Sequence, residues 1–145
     1  MAIYKEIQLQ SELFAFPIDI KLNAEDWYVR IGAPLHQVVQ IRPHLFQPWL
    51  FTVNNLYGSS LFNLQTDRKD SNSWTVWEGK VRKAEIILEN NHFLLQEFEG
   101  DQRFDFQVST TAALSRQELQ MLAAAIMDTW QWASVPSNGA ARVLA

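Results

Sequence analysis

The segment LSRQELQMLAAAIMDTWQW, residues 114 to 132, is a helical pattern in a chain that otherwise reads as short alternating strands. Ser115 and Glu118 have the spacing of a capping box, in which each side chain accepts a hydrogen bond from the other residue's backbone N–H. Apolar residues then recur at helical spacing, at Leu119, Leu122, Ala123, Ile126 and Trp130. A helix that is apolar on most sides is buried, so we predict a core helix over residues 115–133, with Ile126 in its centre and Gln117 exposed.

The segments before residue 114 show the period of two that is typical of strands. Phe14, Phe16, Ile18, Ile20 and Leu22 share one parity, which predicts a strand with one buried face. Turn residues divide the later segments into hairpins, one turning at Glu78-Gly79 and another at Gly100-Asp101. About ten strands in series with short connections predict a mainly β fold, an antiparallel barrel or strongly curved sheet.

The terminal helix has three possible places in such a fold. It can pass through a closed barrel, since nineteen residues span roughly 28 Å. It can lie across one open face of the sheet, or it can dock outside its own domain and form a dimer. In each case residues 1–133 are predicted to form a single β-rich domain, and residues 134–145 a flexible tail.

Composition excludes several classes of protein. The 145 residues include no cysteine, which removes disulfides and thiolate metal sites and suits a reducing, cytoplasmic location. The formal net charge of −4 argues against nucleic-acid binding, which requires a basic face. No apolar run approaches the roughly 18 residues of a membrane span, and the charged N-terminus does not resemble a secretory signal.

Three stretches between residues 40 and 132 carry a resemblance to a known family. IRPHLFQPWLFTVNNLYGSSLFNLQT and WTVWEGKVRKAEI resemble strand pairs of the tubby C-terminal-like superfold, which includes the phospholipid scramblases and the LURP-one-related proteins. LQMLAAAIMDTW resembles the closing helix of that superfold, whose aliphatic run ends in an aspartate, here Asp128. The resemblance implies a closed barrel around the helix, no ordinary enzyme active site, and a role at phosphoinositides or membrane surfaces. The family's lipid-contacting basic residues are not assigned to positions of this chain.

Two groups of residues are candidates for binding. A basic cluster could receive a phosphate or an acidic partner, although lysine-rich strands also protect sheet edges; it comprises Arg68, Lys69, Lys80, Arg82 and Lys83. Phe46 and Trp49, in the loop RPHLFQPWLF, would form an aromatic rim if they are exposed, and would plug a barrel end if they are buried.

The sequence offers no motif for catalysis, a metal or a cofactor. His36, His44 and His92 lie in different segments without metal-ligand spacing. We therefore predict a non-catalytic binding module for an anionic lipid surface or a protein partner, in which the basic cluster and the aromatic rim lie close together. The alternative is a small-ligand or enzymatic barrel with an aromatic-lined cavity.

Overall fold

A computed structural model describes residues 4–47, 49–55, 57–58, 60–66, 72–100, 102–110 and 113–135, which form ten strands and a helix. The strands are β1 (Lys5–Ser11), β2 (Ile18–Asn23), β3 (Tyr28–Ile31), β4 (Gln37–Pro43), β5 (Leu50–Asn55), β6 (Ser60–Thr66), β7 (Ser73–Glu78), β8 (Val81–Glu89), β9 (His92–Glu97) and β10 (Arg103–Ser109). The helix, α1, spans Arg116–Ser134.

The sheet closes into a barrel. Each strand pairs antiparallel with the next in the chain, and β1 also pairs with β10, where Leu9 lies opposite Val108. This confirms the predicted antiparallel barrel. It also removes one interpretation of the basic cluster, because β8 is paired on both sides and has no free edge to protect.

Side chains alternate between the interior and solvent, as β2 illustrates. Ile18 and Ile20 are buried, whereas Asp19 between them is exposed. The expected alternation does not extend back to Phe16, whose side chain is 79% exposed. The chain before Ile18 is a turn that contains Pro17, so Phe16 is not held in the sheet and the prediction for it is wrong.

The helix runs through the barrel. Every residue from Gln120 to Thr129 is buried, so no face of α1 reaches solvent over almost three turns. Ile126 is fully buried, as predicted. Of the three places considered for the helix, the structure shows the one in which the strands surround it.

Side chains of different sizes fill the space on the two sides of the helix. The backbone of α1 lies closest to β2, β3 and β4, whose inward residues are aliphatic. Small residues at Ala123–Ala125 permit that close approach. The largest buried rings come from the other strands and include Phe62, Trp74, Phe93 and Phe106. The core therefore combines close backbone contact on one side of α1 with aromatic filling on the other.

The predicted capping box is present at the start of α1. The Glu118 N–H donates to Ser115 Oγ at 3.1 Å, and the Ser115 N–H donates to Glu118 Oε1 at 2.8 Å. Gln117, expected to be exposed, is half-buried because its Nε2 donates to the carbonyl of Ala24. The helix ends at Ser134, one residue later than predicted, and residues 136–145 of the predicted tail lie outside the described residues.

Candidate functional site

The antiparallel order sorts the strand connections into two groups, one at each end of the barrel. The β2–β3, β4–β5, β6–β7 and β8–β9 connections lie at the end where α1 begins, which we call the entry end. The β7–β8 and β9–β10 turns lie at the opposite end, which we call the exit end.

Side chains of α1 fix its first turn to the strands at the entry end. Lys5 Nζ lies 2.8 Å from Glu118 Oε1 and also donates to the carbonyl of Ala113. Burial opposes ionisation of Glu118, but hydrogen bonds from Lys5 and Ser115 outweigh it and lower the pKa of Glu118. Arg116 donates to Asn72 at 3.0 Å. The start of the helix is thus attached to several strand connections, which gives the entry end a defined shape.

The β4–β5 connection lies at the entry end, and we call its described residues, 44–47 and 49, the apolar loop. Leu45 and Phe46 are adjacent and almost fully exposed, at 93% and 94%, and Trp49 is 41% exposed. Backbone hydrogen bonds hold the base of the loop, from the His44 N–H to the Leu50 carbonyl and from the Leu50 N–H to the Gln47 carbonyl. The loop therefore presents two neighbouring apolar side chains to solvent on a hydrogen-bonded base.

A hydrogen-bond chain fixes His44, the first residue of this loop. The Thr52 hydroxyl donates its only hydrogen to Asn63 Oδ1 at 3.0 Å. His44 Nε2 lies 2.7 Å from the same hydroxyl oxygen, so Nε2 must carry a hydrogen and donate it. The chain anchors the residue that precedes Leu45 to β5 and β6.

Behind the apolar loop, the entry end contains a cavity of about 430 Å³. The rings of Trp27 and Phe51 stack there with centroids 6.0 Å apart, and Trp49 lies at the more exposed side. Gln120 also lines the cavity and is only 8% exposed. Its Oε1 is buried and accepts no hydrogen bond from any residue in the described ranges. The cavity thus combines apolar walls with an unsatisfied acceptor.

Three of the five basic residues predicted to bind an anion lie at the exit end. Lys80 and Arg82 are exposed and Lys83 is half-buried, in the β7–β8 turn and the start of β8. The Arg82 guanidinium lies 4.8 Å from the centre of the Phe98 ring, and the nearby Glu78 is also exposed. This part of the cluster is therefore a mixed-charge surface with a cation–π contact rather than a uniformly basic patch.

The predicted closeness of the basic cluster and the aromatic rim is wrong for the residues that can be located. Phe46 is at the entry end, whereas Lys80 and Arg82 are at the exit end. The two groups are separated by the length of β7, roughly 20 Å for six residues. Arg68 and Lys69 lie outside the described residues.

The exit end also contains a buried carboxylate, Asp128 of α1, which sequence reasoning did not select. Its side-chain Oδ1 accepts a hydrogen bond from Gln37 Nε2 at 3.1 Å, and Oδ2 is buried without a partner in the described chain. Burial raises the pKa of Asp128 to about 6, although the Gln37 hydrogen bond partly opposes the shift. The signal in the sequence was a lone acidic residue within an apolar run.

Catalytic and metal-binding arrangements receive no support from the parts of the chain that the structure describes. No group of three His, Asp or Glu side chains there could hold a metal ion. His36 and His44 are exposed in separate connections, and His92 pairs with Asp105 at 3.0 Å on the outer surface. Each histidine thus lies in a separate surface environment.

Comparison of the chain with protein-family models, curated proteins and solved structures finds no match. The resemblance to the tubby C-terminal-like superfold therefore stays a prediction. Among the described residues, no helix has the combination of length and apolar character needed to cross a bilayer.

Proposed function

We propose that the protein is a non-catalytic binding module that inserts the tip of its apolar loop into a membrane interface. The observation that carries this proposal is the pair Leu45 and Phe46, adjacent and almost fully exposed on a hydrogen-bonded base. Large neighbouring apolar side chains have an energetic reason to leave water. The resemblance to the tubby C-terminal-like superfold points to the same kind of partner.

The exposure of the loop residues favours a lipid interface over a protein groove. Leu45 and Phe46 are almost fully exposed, and Trp49, next to the start of β5, is a partly exposed amphipathic ring that would meet the headgroup layer. Leucine is under-represented among residues that dominate protein–protein binding energy. A protein partner remains the outcome if vesicles do not bind.

The expected membrane affinity is modest. Burial of Leu45 and Phe46 is worth about 1.5–3 kcal/mol for each side chain before the cost of association. The sum is smaller than the burial energy of a single acyl chain, which itself gives only reversible binding with a constant of about 10⁴ M⁻¹. The basic residues Lys80, Arg82 and Lys83 lie at the opposite end and add little when the apolar loop faces the membrane. Binding should therefore depend only weakly on anionic lipid.

The interior of the barrel supports a non-catalytic role. The alternative function, a ligand or enzyme site inside the barrel, needs an empty aromatic-lined interior. Helix α1 occupies that space, with every residue from Gln120 to Thr129 buried. A site for a small molecule would have to lie at an end of the barrel.

The proposal is tested by co-sedimentation with phosphatidylcholine vesicles, with and without about a third of phosphatidylserine. We expect reversible binding of the parent to both kinds of vesicle, and at least tenfold weaker binding of the Leu45→Ser/Phe46→Ser variant. Phe16→Ser is the matched control, because Phe16 is also exposed but lies at the exit end.

Two results would overturn the proposal. One is equal binding by the parent and the Leu45→Ser/Phe46→Ser variant. The other is no binding of the parent to either vesicle at low salt, which would direct the search to a protein partner for the same loop.

A further inference from the structure

The entry-end cavity is separate from the exposed tip of the apolar loop. Leu45 and Phe46 point to solvent, whereas the cavity lies behind the base of the loop, against the first turns of α1. Its volume of about 430 Å³ is within the usual range for small-molecule sites. The loop and the cavity share His44 and Trp49 but not Leu45 or Phe46, so each can be tested without the other.

The walls of the cavity are suited to a flat apolar molecule. The Trp27 and Phe51 rings stack on each other at an angle of 29°, and both residues line the cavity. Phe51 is buried, whereas Trp27 is half-buried, and its backbone carbonyl accepts a hydrogen bond from the Ile41 N–H at 2.8 Å. A planar ring in the cavity can therefore lie against this pair, mainly against the more exposed ring of Trp27.

One acceptor in the cavity lacks a hydrogen-bond donor, although Thr66 and Arg116 also line the cavity. Gln117 also lines the cavity, but its amide already donates to the Ala24 carbonyl. Gln120, one helical turn later on the same side of α1, has a buried Oε1 without a donor in the described residues. Such an acceptor is costly unless a molecule in the cavity supplies the missing hydrogen.

We propose that the entry-end cavity binds a small, flat aromatic molecule that carries one N–H or O–H donor. The ring lies against Trp27 and Phe51, and the donor hydrogen-bonds to Gln120 Oε1. Trp49, at the more exposed side, covers the outer face of the bound ring. This inference does not depend on membrane binding, because it uses neither Leu45 nor Phe46.

The test compares indole with benzothiophene, which has the same shape but no N–H donor. The indole N–H signals of the protein's tryptophans are followed by NMR during titration with each probe, and affinities are measured by calorimetry. Indole should shift the signals of Trp27 and Trp49, and should leave those of Trp130 and Trp132 near the other end of α1 unchanged.

Gln120→Met tests the donor, since methionine has a similar length but cannot accept strongly. The ratio of indole affinity to benzothiophene affinity should fall by about three- to tenfold in this variant, the value of one hydrogen bond. The difference in hydrophobicity between the two probes is the same in the parent and in the variant, so it cancels when their affinity ratios are compared. Gln131→Met, near the C-terminal end of α1, is the matched control and should leave the ratio unchanged.

The result that overturns the proposal is a lack of shifts at Trp27 and Trp49 with either probe at millimolar concentration, as expected if the cavity holds only water. An affinity ratio unchanged by Gln120→Met also overturns it. The Leu45→Ser/Phe46→Ser variant should still bind indole. Failure of the membrane proposal and failure of this one are therefore distinguishable.

Discussion

Replacement of Asp128 by asparagine should stabilise the protein at neutral pH and remove part of the pH dependence of its stability. Asp128 is 5% exposed, and one of its two oxygens has no hydrogen-bond donor in the described chain. Asparagine keeps the shape of the side chain, and its oxygen can still accept the hydrogen bond from Gln37. The change therefore removes a buried charge with little effect on packing.

The magnitude follows from the raised pKa of Asp128. Burial moves this pKa from its ordinary value of 3.8 to about 6 in the folded protein. Because the folded pKa is above the unfolded one, the protonated carboxyl contributes stability that is complete below the unfolded pKa and is lost as the pH rises through about 6. The loss is at most about 3 kcal/mol, of which roughly 1 kcal/mol falls between pH 5 and pH 7.

Urea unfolding of the parent and of Asp128→Asn at several pH values measures this effect. The asparagine variant should gain in unfolding free energy relative to the parent as the pH rises from 5 to 7.5, and should be the more stable protein at pH 7.5. The difference in unfolding free energy between the two proteins at each pH cancels the contributions of other titrating groups. One of these is Glu118, whose lowered pKa means that its contribution to stability is lost at acidic pH. Glu99→Gln, at an exposed turn position, is the control and should show no such trend.

A difference between the two proteins that is the same at pH 5 and pH 7.5 would refute this reasoning. So would an asparagine variant that is less stable at pH 7.5, since either result means that the charged form of Asp128 is compensated in the folded state.

Other predictions concern the helix and its attachment. Ile126→Asp should unfold the protein, because an unpaired charge in the middle of the barrel costs several kcal/mol; a thermal melt within about a degree of the parent would contradict this, and Gln131→Asp, at a half-buried position, should cost far less. Ser115→Ala should lower the unfolding free energy by about 1 kcal/mol through loss of the capping hydrogen bond, measured by urea unfolding. Lys5→Met should raise the pKa of Glu118, measured by NMR titration, because it removes the ammonium 2.8 Å from the carboxylate; an unchanged pKa would mean that Ser115 alone sets the ionisation.

The elements of the fold could be predicted from local periodicity, but periodicity alone did not distinguish a closed barrel from a strongly curved sheet. In β2, Ile18 and Ile20 repeat at a period of two because the strand has one buried face, and this is visible in the sequence. The pairing of Leu9 with Val108 is a contact between distant parts of the chain. Alternation shows that β1 and β10 each have a buried face, but it does not show that these faces belong to one closed interior.

The candidate sites could be predicted only in part for a similar reason. The proline-interrupted loop indicated Phe46 and Trp49. The exposure of Leu45 and the position of Gln120 in the cavity could not be predicted, because both depend on which side chains lie nearby in space. The separation of Lys80 and Arg82 from the aromatic rim was within reach of the sequence. Three strands, β5 to β7, lie between them, and an odd number of antiparallel strands ends at the opposite end of the sheet.

The arrangement of exposed apolar residues distinguishes the two ends of the barrel. At the exit end, Phe16 and Phe98 come from different turns, and the Arg82 guanidinium lies over the Phe98 ring. Single exposed rings of this kind are normal on a protein surface. At the entry end, Leu45 and Phe46 are consecutive and both almost fully exposed. Since α1 fills the interior and the strands form a closed sheet, a membrane or protein partner can bind only at the outer surface, and the consecutive pair is the feature there that solubility alone does not explain.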